Sequence, residues 1–434
     1  MNAPKLSVLP RSSGLLKQFS TTVVDQVVIS GANFLVGLLL IRQTSSSDYA
    51  IFVLVQSAIT LMISGQMAWL SSPLAVVAPA KTPEVRHLMV GSVEASQRRF
   101  LTLAAAAALL VPIGGFFLKV WTLMEASAVA LGIIACWAAL LREYLRGVLL
   151  IFRRPEEMLR TDMIYVAVLL IGAVGAAYWS KPAGLWAIAA LIVSAIVGER
   201  AAHRALDRNP GFTVGDAAPF WKEMRPMATW ATVGAMTYWI YNQSYNYVLA
   251  SRIDLAAVAD VNAARLLLMP TIVLTVGVKT LLVPTAAGWL AESNVGRLIR
   301  RLLVFACGIA AIDIVYCILL WIFRDWLTHD LMHKTIGNRD LLLILWAILS
   351  LIALFRDLLQ TGVFALKKFK SLAGVTALSA VVSLTIMWLG IENWGASAAL
   401  FGQVAGETIN LVGVASLLVS GYFTERTKRR AALG

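Results

Sequence analysis

The residues of this chain best placed to do chemistry are the charges embedded in long apolar runs. Arg265 and Lys279 lie fourteen residues apart in one such run, 262–287. On a continuous helix they would stand within about 40° of each other and ~21 Å apart in depth, a basic track along one face. Pro270 and Gly277 fall between them, where a kink is tolerated only against protein or water. Arg142 and Arg146 share a face four residues apart, so they repel and require an anion. Glu143 can reach Arg146. Arg142 is left to another helix, to a bound anionic group, or to snorkelling towards the interface near Arg153, and the same readings stand for Arg356. Asp25, Glu143, Asp357 and Glu407 are candidate ion-coupling carboxylates, and Asp313 stands alone in its span. The competing reading for each is a satisfied structural carboxylate.

Polar side chains recur at helical spacing in the same runs. Gln26, Ser30 and Asn33 form one stripe and Gln56, Thr60 and Ser64 another. The stretch YWIYNQSYNY carries Tyr241, Asn242, Tyr245 and Asn246. Such amides either line a water-filled cavity or hydrogen-bond between helices. Signals of catalysis are missing: there is no Walker A sequence, and His329 and His333 have ligand spacing but no third ligand. No metal, cofactor or enzymatic activity is expected.

The elements that hold these residues must be membrane helices. Hydrophobic residues make up 59% of the chain and charged ones only 14%, and mean hydropathy is +0.76, beyond what a core in water needs. Spans of ~20 apolar residues are what a helix needs to cross a bilayer. They fall at 20–41, 49–78, 101–119, 125–151, 161–179, 184–199, 226–250, 262–287, 300–323, 341–366, 371–390 and 395–421. The fold class expected is all-α, polytopic, with about twelve transmembrane helices. The cysteines, Cys136, Cys307 and Cys317, read as packing residues.

Lys and Arg concentrate in the N-tail, the even-numbered loops and the C-tail. The opposite face holds Arg42, Lys119, Lys181, Arg252, Arg324, Lys334 and Arg339. This positive-inside bias places both termini in the cytoplasm. The basic tail from Arg426 then reads as a contact to anionic membrane lipids, and no nucleic acid is implied.

The fourth and tenth spans superpose with a shift of 214 residues: AALLREYLRGVLLIFRR at 138–154 lies over IALFRDLLQTGVFALKK at 352–368. Arg142 falls on Arg356 and Glu143 on Asp357, and a basic pair closes each segment. Charges coinciding at these positions mark a duplicated six-helix unit. Six spans per half make the repeat parallel, with its axis along the membrane normal, and substrate sites lie between such halves. The expected organisation is an N-tail (1–19), a first lobe (20–203), a basic linker (204–225), a second lobe (226–421) and a C-tail (422–434).

The stretch DQVVISGANFLVGLLLIRQTSSSDYAIFVLVQSAITLMISG resembles the opening of Wzx-type polysaccharide flippases. VADVNAARLLLMPTIVLTVGVKTLLVPTAA is similar to that family's eighth helix, with Ala263 and Ala264 at its small pair and Pro284 at its terminal proline. The resemblance implies the multidrug, oligosaccharidyl-lipid and polysaccharide exporter superfamily: two six-helix bundles in a V around a central cavity, in a bacterial inner membrane. It implies a cationic cavity for an undecaprenyl-pyrophosphate-linked oligosaccharide, a precursor of exopolysaccharide, O-antigen or capsule. Transport by alternating access would be coupled to H⁺ or Na⁺, with a polymerase and export proteins as partners. Arg265 and Lys279 would then meet pyrophosphate, and Asn242, Asn246, Tyr241, Tyr245, Gln26, Asn33 and Gln56 would meet sugar. Asp25 departs from this pattern, because it offers an acid in the first span. A multidrug cation antiporter using Asp25 or Glu407, and a non-transporting scaffold of a glycan assembly complex, are the alternatives.

The charge bias predicts that cysteine introduced at Lys181 is labelled by an impermeant maleimide from outside intact cells. Cysteine at Arg426 should be labelled only after the membrane is opened, and the reverse pattern would invert the topology.

Overall fold

The computed structural model describes residues 12–179, 181–207, 213–292, 294–366 and 368–431. The chain runs through α1 (Ser12–Gln43) and α2 (Ser46–Gln66), which passes by a π-helical turn into α3 (Ser72–Val77). Then come α4 (Pro83–Ala108), α5 (Leu110–Phe117), α6 (Leu123–Ile151), α7 (Pro155–Trp179) and α8 (Ala183–Asp207). The second half holds α9 (Ala218–Arg252), α10 (Leu255–Leu267), α11 (Met269–Glu292), α12 (Val295–Ile322) and the short α13 (Arg324–Trp326). It ends with α14 (Arg339–Ala365), α15 (Phe369–Trp394) and α16 (Ser397–Ala431).

Among the described residues, ten helices are long and apolar enough to span a membrane, and the α10–α11 pair, bent by 56°, adds an eleventh. At 1.5 Å per residue the 35 residues of α9 are also long enough, but its charged start and polar YWIYNQSYNY run dilute its apolarity. Helices outrun the expected spans at their polar ends: α4 starts at Pro83, α9 takes in 218–225 of the expected linker, and α16 continues to Ala431. Backbone hydrogen bonds continue where hydropathy fades, because each is closed within the helix.

Local signals set the boundaries. Ser45, Asp254 and Asn294 accept from the exposed N–H groups of Asp48, Ala257 and Arg297 and so start α2, α10 and α12. Thr122 and Glu125 form a reciprocal cap on α6. Pro270 has no N–H and disfavours helical geometry just before it, and the chain breaks at Leu268. This corrects the expected continuous basic face: Arg265 lies before the break and Lys279 beyond it.

The two halves repeat one packing scheme. In the first, α7 packs on α1 and α8, and α6 on α8 and α2. In the second, α15 packs on α9 and α16, and α14 on α16 and α11. Close approach of α15 and α16 rests on Gly402, Gly406 and Gly413, where a Cβ would press on Ser383 and Met387, on Ser379, and on Val375. Exposed apolar side chains such as Phe100, Leu103, Leu110 and Phe117 clothe α4 and α5 on the lipid side. Cys307 is among the exposed residues, contrary to its expected packing role.

Three buried clusters show how the halves join. One includes Val36, Leu40 and Tyr49 from the first half together with Leu249, Val258 and Leu342 from the second. The other two stay apart at the opposite end of the bundle, one around Met89, Leu145 and Leu149 and one around Leu298, Leu358 and Val363. The halves are therefore sealed where α2 and α10 begin and have separate cores where α6 and α14 finish. Inter-half hydrogen bonds reinforce the seal: Tyr247 Oη donates to Leu54 O (2.8 Å), Trp239 Nε1 to Ser57 O (3.1 Å) and Lys334 Nζ to Thr44 O (2.8 Å). Burial pushes the Lys334 ammonium below the usual lysine range, with Asp260 and Asp48 pulling it back. The helix α9 bridges both regions, since Met224 near its start is buried with Leu70 and Met89 of the first half while its far end joins the shared core.

Gly406→Leu should force α15 and α16 apart at a cost of roughly 1–3 kcal/mol, the usual penalty of overpacking. A lower thermal midpoint of the detergent-solubilised protein, with Gly374→Leu at an open position as control, checks this.

Candidate functional site

Among the described residues, each half holds a buried ionic cluster built on the repeated Arg–acid pair, and the repeat places the two in matching positions. In the first, Arg142 and Arg146 point from α6 onto Asp162 of α7: Arg142 Nη2 pairs with Oδ1, and Arg146 Nε meets Oδ2 at 2.6 Å. Arg146 also pairs with Asp25 of α1 and with Glu143. The Arg142 guanidinium lies 3.7 Å from the centre of the Tyr165 ring, a cation–π contact. Gly198 on α8 leaves room for it, since a Cβ there would come within 3.1 Å of Arg142 Cδ.

In the second cluster, Arg356 makes a paired contact with Glu407 of α16, Nε to Oε2 at 2.9 Å and Nη2 to Oε1 at 3.0 Å. Its Nη1 donates to Asp357 at 2.8 Å, and Asp357 also pairs with Lys279 of α11. Gln360, which occupies the position of Arg146 in the repeat, accepts from the same Nη1 at 3.3 Å. A charge at the centre of a membrane helix costs ~2.5–3.5 kcal/mol on insertion scales, and these contacts offset it. Arg142, Arg146, Arg356 and Lys279 are thus each neutralised by a carboxylate of the chain. Arg142 is 9% exposed and does not snorkel.

Arg265 is different. Among the described residues no carboxylate lies within 4 Å of it; its Nη1 reaches the Tyr245 hydroxyl at 3.4 Å, and its guanidinium sits 5.7 Å from the Trp346 ring. It lines a cavity of about 160 Å³ between α9, α10, α11, α14 and α16. Tyr238, Asn242, Trp346, Arg356, Asp357, Gln403 and Glu407 share that wall. The volume is below the ~300–1,000 Å³ of pockets that enclose a drug-sized ligand, so it fits one charged or hydroxylated group of a larger molecule.

The structure brings Asn242, Arg265, Arg356, Asp357 and Glu407 together in this cavity, and Lys279 stands behind it through Asp357. Other expected residues lie elsewhere. Tyr241 and Tyr245, at 3% and 2% exposure, lie outside the cavity lining, and its aromatic residues are Tyr238 and Trp346. Asn246 is fully buried and spends its amide on Ser57 and Asn262, tying the halves together. Gln26 is exposed and bonds Ser30, and neither Asn33 nor Gln56 reaches the cavity. Asp25 and Glu143 belong to the first ionic cluster. Asp162, Tyr165 and Trp346 were not among the expected site residues. Asp162 could have been sought as the missing partner of two repelling arginines, but spacing within one helix does not reveal a partner on the next.

No family model and no curated protein matches the sequence. Solved structures do match the fold. An inward-facing multidrug resistance MATE family transporter of the MOP superfamily aligns with a TM-score of 0.73 at 13% identity, over 93% of this chain and 96% of that one. The lipid II flippase MurJ in an inward closed conformation gives 0.70 at 13% identity, over 93% and 87%. An outward-facing MATE transporter of the MOP superfamily gives 0.64 at 14% identity, over 96% of each. The protein therefore shares the fold of these MATE and MurJ structures, and its apolar helices give it a multi-pass membrane architecture.

Asp162→Ala strands the buried Arg142 guanidinium and takes one of three carboxylates from Arg146, and should cost about 3–5 kcal/mol, the usual penalty for removing one partner of a buried pair. Thermal unfolding should show the loss, and Arg142→Met combined with Asp162→Leu should recover part of it.

Proposed function

We propose that this protein is a flippase for an anionic lipid-linked oligosaccharide, moving a pyrophosphate-linked sugar precursor from the cytoplasmic to the outer leaflet of a bacterial inner membrane. The observation that carries this reading is the Arg265 guanidinium, which faces a polar cavity without a carboxylate partner among the described residues. A membrane interior leaves a charge in that position only when a ligand or water completes it. The anion is the phosphate group, held by Arg265; the amides of Asn242 and Gln403 and the rings of Tyr238 and Trp346 suit the hydroxyls and apolar faces of a sugar. Because the cavity is small, it acts as an anchoring subsite, and the rest of the glycan occupies the space between the halves.

Alternating access follows from the same packing. The two halves separate at the end where the two other buried clusters lie and close over the shared cluster, and transport requires the reverse arrangement. The fold shared with the flippase MurJ supports this reading, and the fold shared with MATE transporters keeps export of cationic drugs as its rival. In the rival reading Asp25 or Glu407 would bind the cation, although Arg146 and Arg356 already hold these carboxylates here.

The test is reconstitution into vesicles with a fluorescent undecaprenyl-pyrophosphate oligosaccharide. Wild-type protein should expose the glycan on the far leaflet, and Arg265→Gln should cut the rate at least tenfold while leaving thermal stability near wild type. Extrusion of cationic dyes with no movement of the lipid-linked sugar would establish the rival.

A further inference from the structure

Asp313 on α12 is 1% exposed. The other fully enclosed carboxylates differ from it, since Asp25, Asp162 and Glu407 each touch an arginine. Among the described residues no Lys, Arg or His nitrogen lies within 4 Å of Asp313. Its neighbours are Ser350 of α14, whose Oγ lies 3.1 Å from Oδ2, Cys317 of α12, whose Sγ lies 3.8 Å from Oδ1, and Thr271 of α11. An unpaired carboxylate at that depth would carry the full desolvation cost of a buried charge.

The hydroxyl protons decide which form fits. A serine or threonine hydroxyl has one proton to give. Ser350 Oγ lies 2.9 Å from Ala347 O, and Thr271 Oγ1 lies 2.9 Å from Leu268 O, each within its own helix. Each hydroxyl therefore has one proton for two acceptors, a carbonyl of its own helix and Asp313. An ionised Asp313 would draw those protons away from the carbonyls and would have only neutral donors, Ser350, Thr271 and the Cys317 thiol, to meet its charge. A protonated one can donate its O–H to Ser350 while Ser350 keeps its bond to Ala347 O, so that no hydrogen bond is given up and no charge is buried.

The position joins this group to the cavity. Ser350 and Thr271 line the cavity wall with Arg265, so one layer of hydroxyls separates Asp313 from the space the ligand enters. The remaining titratable groups around it are accounted for. On α12 itself the Tyr316 hydroxyl is engaged by Leu267 O at 2.6 Å. On α14, Arg356 and Asp357 lie about two turns beyond Ser350, and on α11, Lys279 lies about two turns beyond Thr271. On α16, which also packs on α12, Glu407 is bound to Arg356.

We propose that Asp313 is a proton-binding site, protonated in this conformation, which exchanges its proton with the cavity through Ser350. When the proton leaves Oδ2 for cavity water, a negative charge remains behind the wall that carries Arg265. That charge and an anion at Arg265 repel, so each weakens the other's binding by the same factor. The coupling rests on the anion-binding role proposed for Arg265, whereas the proton site stands without it.

Infrared spectroscopy of the full-length protein in lipid bilayers separates the two. At neutral pH the wild type should show a carboxylic-acid carbonyl band that shifts in deuterium oxide and is lost in Asp313→Asn, whose side chain is close to isosteric with the protonated acid. Ser350→Ala, which keeps the acid but removes its relay, should retain the band and slow its deuterium exchange at least tenfold. Sulfate, a probe with constant charge through the neutral range, should raise the midpoint at which the band disappears. Absence of the band, its persistence in Asp313→Asn, or its loss on adding Na⁺ at fixed pH would overturn the proton site. A band that behaves as expected but ignores sulfate would overturn the coupling and the anion role of Arg265 while leaving the proton site in place.

Discussion

A guanidinium carried into hydrocarbon must meet a carboxylate, an aromatic face or water, and most of this structure's interior is arranged around that requirement. Arg142 and Arg146 hold α1, α6 and α7 together through Asp25 and Asp162. Arg356 holds α14 to α16 through Glu407, and Lys279 brings in α11 through Asp357. Each ionic cluster lies within its own half. The contacts that join the halves at the sealed end are apolar packing and hydrogen bonds involving neutral acceptors. Movement between the halves can therefore proceed without separating a buried ion pair.

The duplicated segment shows how one design serves two purposes. The same Arg–acid dipeptide begins both clusters, at Arg142–Glu143 and Arg356–Asp357. In the first half a second arginine, Arg146, joins three acids in one buried knot. In the second half Gln360 replaces it, and the balance of charge shifts. Lys279, Arg356 and Arg265 there face only Asp357 and Glu407, so one cation is left over, and the broken α10–α11 helix aims it at a cavity. Pro270 thus decides where Arg265 stands as well as where the helix breaks, because a straight helix would have carried Arg265 and Lys279 along a common face.

Polar residues on membrane helices divide in the same way. Asn246 bonds Ser57 and Asn262 deep between the halves, outside the cavity lining. Asn242 is one helical turn before Asn246, yet it lines the cavity with Gln403. Depth and helix rotation separate the two roles, and neither follows from residue type. Asp313 and Ser350 illustrate a third arrangement, in which a carboxyl group without an opposing charge among the described residues meets a hydroxyl that also reaches a carbonyl of its own helix.

The sequence by itself determined that this is a helical membrane protein of about twelve spans, since apolar length and charge placement reflect the cost of exposing backbone polar groups and charges to hydrocarbon. It also determined the duplication, through the charges shared by 138–154 and 352–368, and it marked Arg265, Asn242, Arg356, Asp357 and Glu407, which the fold gathers in one cavity. Only the tertiary structure decided which charges neutralise one another. Asp162 and Glu407 meet their arginines across helices, and contacts between helices are set by rotation and tilt that periodicity along one helix does not encode. The same holds for Gln26, Asn33, Gln56, Tyr241 and Tyr245, whose types suit a sugar site but whose helical faces are turned away from the cavity or packed. That Arg265, unlike Arg142, Arg146, Lys279 and Arg356, has no carboxylate within 4 Å among the described residues goes with its place before a bend of 56°.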